Sequence, residues 1–290
     1  MGQGSTRPTP AERAARSERR SVRVARDLIA AVGGSVGFDH AVEYYDETRG
    51  LSPEVQAQIA ELLSAEFAAA DEVLEVGAGT GLVTLPLARH GLPVQALDVS
   101  LGMLQRLVHK ARKGGLRVPA VVGDATRLPF RDDSVDGVAM RHVLHLVSNW
   151  EAALAEVARI VRPEGRFVVS ITDYTGLYHA MQARFLHAAG DLPIAVGLRP
   201  DDPASLDAAM EALGATGRLL PVVRGRRTLT ISAFLRNMER GVYTWTWAAS
   251  SATRKQAVAE VRRWAKAEMG DLHRPVEPEF EIEWRSYRFA

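Results

Sequence analysis

Three glycines separated by single residues, Gly77-Ala78-Gly79-Thr80-Gly81, close a short apolar run that holds one acid, Val73-Leu74-Glu75-Val76. Glycine lets the backbone take positive φ and lets another molecule approach where a Cβ would otherwise stand. At the carboxyl end of a strand such a loop leaves room for a flat, polar, nucleotide-like ligand against the main chain. Two aspartates extend the pattern. Asp98 follows the apolar run 94–97 and is placed to accept hydrogen bonds from both hydroxyls of a ribose. Asp124 follows the run 118–122, one strand further out, where an adenine amino group would need an acceptor. Strand-end aspartates also cap the helices that follow them, so either one alone decides little. The glycine loop with both aspartates in register points to a nucleoside. Its spacing is not the G-x-G-x-x-G of nicotinamide-binding folds, because Leu82 stands where the third glycine would be.

The elements that must position these groups follow from hydrophobic periodicity. Strands are expected over 72–76, 94–97, 118–122, 135–140 and 166–171, with helices over 82–89, 103–113 and 150–161 between them. This alternation predicts an α/β fold, a doubly wound and mostly parallel seven-stranded sheet, whose strands all end at polar residues on one ligand-binding edge. Upstream, Ser52 is a natural N-cap with Pro53 at the first helical position, and the helix to about Phe67 buries Val55, Ile59, Leu62 and Leu63 on one face. Tyr44, Tyr45, Asp46 and Arg49 read as an ordinary polar turn before it. Downstream, helices over 176–189 and 205–213 lead to a sixth strand over 219–223, and the last strand is expected over 280–289 from the alternation of Phe280, Ile282 and Trp284.

Residues 224–279 are thus read as a helical lid inserted before the last strand. It holds helices over 232–239 and 252–269 and the string Tyr243-Thr244-Trp245-Thr246-Trp247, whose alternation puts three rings on one face. Those rings are expected to wall an apolar acceptor pocket or to anchor the insertion. The cofactor-binding domain comprises 37–223 and 280–290, and 1–36 form a partly disordered basic extension.

Composition bounds the alternatives. The 290 residues are 47% hydrophobic with a net charge of +1, enough for one large α/β core and no global argument for a nucleic-acid partner. The arginines at 13, 16, 19, 20, 23 and 26 form a basic arm, but no aromatic residues interleave them, so a solvated helix is the simpler reading. With no cysteine, disulfides, thiolate metal sites and a cysteine nucleophile are excluded. No apolar run approaches the roughly 20 residues of a spanning helix, and a cytoplasmic protein, monomer or homodimer, is expected.

At this point residues 38–171 resemble the class I S-adenosylmethionine-dependent methyltransferases, especially the branch with ubiquinone/menaquinone methyltransferases and many small-molecule enzymes. The strings that carry it are VLEVGAGTGLVTLPLA, ALDVSLGML, GDATRLPFRDDSVDGV, HVLHLV and RPEGRFVVS. The resemblance implies a Rossmann-like fold that binds S-adenosylmethionine and releases S-adenosylhomocysteine. It implies that Gly77, Ala78 and Gly79 line the methionine moiety, with Glu75 and Gly81 shaping the loop. Asp98 would hold the ribose, Val99 and Met103 the adenine face, Asp124 and Ala125 the adenine edge. Arg141 would stand beside the cofactor, and Tyr45 and Arg49 would close over the methionine end. His142 and His145 follow the fourth strand as candidates for a general base or simply as pocket residues, and Tyr178, Tyr243, Trp245 and Trp247 complete the expected acceptor pocket.

Absences narrow the acceptor. The fourth strand ends Met140-Arg141-His142-Val143, without the Asn-Pro-Pro-Tyr type of motif found in amino-methylating nucleic-acid and glutamine enzymes, and no acidic constellation of the magnesium-dependent catechol type is evident. A small-molecule acceptor, methylated on oxygen, nitrogen or carbon and without a metal, is expected. Three other readings stay open: a non-catalytic S-adenosylmethionine-binding sensor or assembly protein, an RNA methyltransferase using the arginine-rich arm, and an NAD-dependent oxidoreductase.

Overall fold

Five apolar runs form the parallel part of a seven-stranded sheet: β1 (Val73–Val76), β2 (Val94–Asp98), β3 (Ala120–Val122), β4 (Val135–Arg141) and β5 (Val161–Ser170). The structure, a computed structural model, describes residues 42–171, 176–192 and 196–290. The basic extension and Pro193 lie outside the described residues. The helices are α1 (Tyr45–Arg49), α2 (Pro53–Glu66), α3 (Thr84–Arg89), α4 (Leu101–Lys113), α5 (Trp150–Ile160), α6 (Gly176–Ala188) and α7 (Pro203–Ala212). After them come β6 (Ala215–Leu219), β7 (Val223–Arg226), β8 (Leu229–Thr230), α8 (Ile231–Arg240), α9 (Ser251–Met269), β9 (Pro275–Val276), β10 (Glu279–Ile282) and β11 (Arg285–Phe289).

The sheet order is β3-β2-β1-β4-β5-β11-β6, with β11 antiparallel to both its neighbours. β1 lies at the centre of the parallel part, and all four of its residues are buried, as a strand covered on both faces must be. Alternation along it sends Leu74 and Val76 into a cluster with Leu154, Val157 and Phe167, and Val73 into the opposite one with Ile59, Leu63 and Trp284. The expected cap is present, Ser52 Oγ accepting from Val55 N–H, and Ser100 Oγ caps α4 in the same way, accepting from Met103 N–H at 3.2 Å.

Four local expectations change. Residues 45–49 form a short helix where a turn is expected, with acids in its first turn and Arg49 in its last, which suits the helix dipole. The sixth strand is Ala215–Leu219, not 219–223. Gly217 belongs inside it because a Cβ there would sit 2.7 Å from the Tyr287 ring. The stretch expected as one final strand divides: β10 pairs with β7 in a two-stranded sheet of its own, and only β11 joins the main sheet. The alternating aromatic string is no strand but a 3-10 turn over Thr244–Thr246, in which Tyr243 O accepts from both the backbone and the hydroxyl of Thr246.

The chain divides into two units. The first comprises the described residues to His179, 196–228 and 277–290, and carries the main sheet. The second comprises 180–192 and 229–276: α8 and α9 pack together, and β8 pairs with β9. Within that second unit Tyr243 stacks flat on Trp245 at 5.2 Å, Phe185 meets Trp245 edge-on, and the Arg184 guanidinium lies 4.3 Å from the Trp264 ring centre.

Candidate functional site

The carboxyl edge of the sheet is built by parallel register. Val76 pairs with Leu97 on one side and Met140 on the other, and Asp98 pairs with Val122. The glycine loop, Asp98, Asp124 and the Arg141-His142 pair therefore emerge side by side on one rim. Gly77 takes φ +73° and a Cβ there would meet Val143 Cγ2 at 2.2 Å, so the loop's first turn admits glycine alone. Gly77 and Ala78 N–H both donate to Leu97 O, at 2.8 and 3.0 Å, which folds the loop back across β2. Gly79 N–H then donates to Asp98 Oδ2 at 2.8 Å, while Ser100 N–H donates to Asp98 Oδ1 at the same distance. The Asp98 carboxylate is thus aimed by backbone donors on both sides and remains half-buried at the rim.

Asp124 receives Thr126 N–H at 2.8 Å and the Thr126 hydroxyl at 2.7 Å on one oxygen, so it also closes the turn that follows β3. Ala125 and Met103 are buried, and Val99 is half-buried. This donor set fits a nucleoside. The loop offers backbone without side chains, β2 ends in the Asp98 carboxylate, and Asp124 follows the end of β3 by two residues.

Glu75 faces into the protein directly under the loop, with 3% of its surface exposed, and accepts a hydrogen bond from the Thr84 hydroxyl. Burial pushes its carboxyl up to about 8, although the Thr84 hydrogen bond and the Arg141 charge pull the other way. At neutral pH it is largely protonated, a neutral strut between β1 and α3.

Helix α1 lies on the glycine loop. The Tyr45 ring stands 3.8 Å from where a Gly79 Cβ would be, and the Thr80 hydroxyl donates to Asp46 at 2.5 Å. Asp46 also accepts from Arg106 Nε at 3.0 Å and Lys110 Nζ at 3.1 Å, both on α4. Burial by itself would raise the Asp46 carboxyl, but Thr80, Arg106 and Lys110 together hold it below the usual carboxylate range. From the other side, Arg227 donates to the carbonyls of Thr48 and Glu47 at 3.0 and 2.9 Å. A five-residue helix has little stability of its own. These tethers fix it.

One cleft of the first unit gathers Tyr45, Arg49, Arg141, His142 and Tyr178, all named as site residues from the sequence, and adds Arg227 and Phe280, which were not expected at a site. His142 takes φ +58°, a left-handed conformation that turns the chain out of β4 at this rim. Its ring meets that of His145 edge-on at 6.0 Å. His145 sits in the 3-10 turn Leu144–Leu146 and its carbonyl accepts from Val196 and Gly197. Tyr243, Trp245 and Trp247 belong to the second unit, each less than a tenth exposed, with Trp247 Nε1–H donating to Gly241 O at 2.9 Å.

Sequence reasoning missed Asp46, Arg106, Lys110 and Arg227. Arg106 and Lys110 form an i,i+4 basic pair on α4, a visible signal, but nothing local reveals that they meet a carboxylate 60 residues earlier. Among the described residues no group of three or more His, Asp or Glu could hold a metal, and no helix is long and apolar enough to cross a membrane.

A seven-stranded sheet in this order, with its glycine loop and strand-end carboxylates, is the Rossmann-like fold of the class I methyltransferases. Residues 74–169 match the methyltransferase-domain family. A demethylmenaquinone methyltransferase of Mycolicibacterium gilvum is 40% identical over 139 residues, covering 47% of this chain and 58% of the relative. The chain spans little more than half the length of the curated relatives it matches. Among solved structures, the YcgJ protein of Bacillus subtilis shares the fold with a TM-score of 0.57 at 18% identity, over 82% of this chain and 99% of that one. The [4+2]-cyclase SpnF shares it with a TM-score of 0.51 at 16% identity, over 99% of both.

Proposed function

We propose that this chain transfers a methyl group from S-adenosylmethionine to a small organic acceptor. The observation that carries the reading is the rim itself: a glycine loop, Asp98 at the end of β2 and Asp124 just beyond the end of the neighbouring β3, all inside the stretch that matches the methyltransferase-domain family. Gly77, Ala78 and Gly79 would receive the methionine end under Tyr45 and Arg49, Asp98 the ribose, Val99 and Met103 the adenine face, and Asp124 and Ala125 its edge. Bound there, the sulfonium supplies an already activated methyl. The chain's own work is alignment, which by the effective-molarity argument can contribute about 7–11 kcal/mol of the barrier. His142 lines the cleft beside Tyr45 and Arg141 and is the residue in position to take a proton, a service required only if the acceptor must lose one to react.

The relative's name makes a demethylated naphthoquinone the first acceptor to test. The assay is formation of S-adenosylhomocysteine together with a methylated product, across that quinone and a panel of small phenols, amines and carbon acids. Product with any of them supports the reading. Tight S-adenosylmethionine binding without turnover across the panel would overturn it in favour of a binding protein or of another reaction. SpnF, a cyclase by name on the same fold, makes that second outcome concrete, since a fold does not fix a chemistry.

A further inference from the structure

Beside Gly81 and Leu82 of the glycine loop lies a cleft of about 510 Å³ whose polar lining includes Asp46, Gln56, Arg89, Lys110 and Lys113. Arg89 ends α3 and Lys113 ends α4, so two helices deliver their last-turn cations to one concavity. Arg106 stands at the same place through its shared contact with Asp46. Arg89, Lys110 and Lys113 thus line the cleft together with one carboxylate, which Arg106 also reaches. Arg106 and Lys110 are paired with it, whereas Arg89 and Lys113 form no ion pair among the described residues. The crowding is felt: burial lowers the Lys110 ammonium, Asp46 opposes that, and Arg106 and Arg89 push it further down.

Basic residues in a helix's last turn commonly do no more than complement its dipole. That explains one cation per helix at a solvated end. It does not explain why two helix ends bring exposed cations to one concave site that already holds a half-buried lysine beside the carboxylate. An incoming anion of charge two or more would relieve the mutual repulsion, and Arg forks with Lys point charges are the donors that phosphate oxygens select. We propose that this cleft is a binding site for a diphosphate-bearing small molecule, separate from the rim that takes the methyl donor. Its existence does not depend on the methyl-transfer reading.

The probe is inorganic pyrophosphate, titrated calorimetrically into the full chain at 0.15 M NaCl, with S-adenosylhomocysteine binding measured in parallel. The expected result is submillimolar binding, weakened at least tenfold in the double variant Arg89→Ala/Lys113→Ala, with S-adenosylhomocysteine affinity unchanged within twofold. A control variant, Arg262→Ala/Arg263→Ala on α9, removes the same charge elsewhere and should leave pyrophosphate binding intact. Absence of binding in the wild type, equal affinity in the double variant, or an equal loss in the control would each overturn the proposal.

Discussion

Asp46 is a carboxylate whose removal should act on one five-residue helix and hardly on the fold. In Asp46→Asn the side chain keeps its size but loses its charge, and its amide must point at a donor wherever the carboxylate now accepts. Two ion pairs go, to Arg106 and Lys110, whose side chains are 39% and 29% exposed, as is Asp46 at 25%. At that exposure each is worth about 0.5–1 kcal/mol. Weakening of the Thr80 hydrogen bond adds about 1 kcal/mol. The sum, about 2–3 kcal/mol, falls on the docking of α1 over the glycine loop. If α1 holds the methionine end as proposed, the Kd for S-adenosylhomocysteine should rise by up to about 30- to 150-fold, because binding must first reseat the helix. Calorimetry at 50 and 300 mM NaCl is the assay, and the penalty should shrink with salt. The pH dependence follows from the same geometry. The folded carboxyl titrates below its ordinary value near 3.8, so its contribution is full above that value and is lost as pH falls through the lower, folded one. An S-adenosylhomocysteine Kd unchanged within twofold, alongside a lowered Tm, would refute the reasoning, because the carboxylate would then support the fold and not the clamp.

Other consequences can be read in parallel. Glu75→Gln keeps the strut without the ionisable group. Since the native carboxyl titrates near 8 and the unfolded one near 4.5, wild-type stability should fall relative to the variant as pH rises from about 4.5 to 8 and level off above, measurable by urea unfolding across that range. Gly77→Ala must force φ +73° on alanine and drive its Cβ into Val143, so donor binding should be lost, and adding Val143→Ala should recover only part of it, because the backbone strain remains. At His142, φ +58° predicts that His142→Val lowers Tm while His142→Gly does not, an ordering that thermal unfolding checks directly. Trp245→Ala removes a ring stacked on Tyr243 and edge-on to Phe185, at a cost of about 3–5 kcal/mol. Hydrogen exchange should rise across residues 229–276 and stay unchanged in β1 to β5.

The rim was legible because it is local. Strand, loop and strand-end aspartate are read within a few residues of one another, and parallel register then brings Gly77, Asp98 and Asp124 together without further information. Ser52 announced its cap for the same reason. The clamp was not legible: Asp46 looks like any turn acid until the fold brings α4 and the Thr80 hydroxyl to it, and Arg227 acts only through backbone carbonyls, which leave no mark in a sequence. The aromatic string misled for a physical reason as well. Period-two alternation of Tyr243, Trp245 and Trp247 suits a strand, but Thr246 bonding back to Tyr243 O closes a tight turn first. The inclusion of Gly217 in β6 and the break before β11 at Trp284 likewise depend on which ring must fit beside which backbone.

The placement of β11 between β5 and β6 bears on how the molecule is made. During synthesis β6 leaves the ribosome with no sheet neighbour, because the strand that joins it to β5 is encoded after the whole second unit. Through that interval β5 presents an open edge and β6 an unpaired one, with Leu219 still 58% exposed even in the finished fold. The rim with the glycine loop can assemble early from β1 to β4, while the other half of the sheet waits. Slow translation through residues 229–276 would lengthen that exposure, and chaperone dependence should concentrate there.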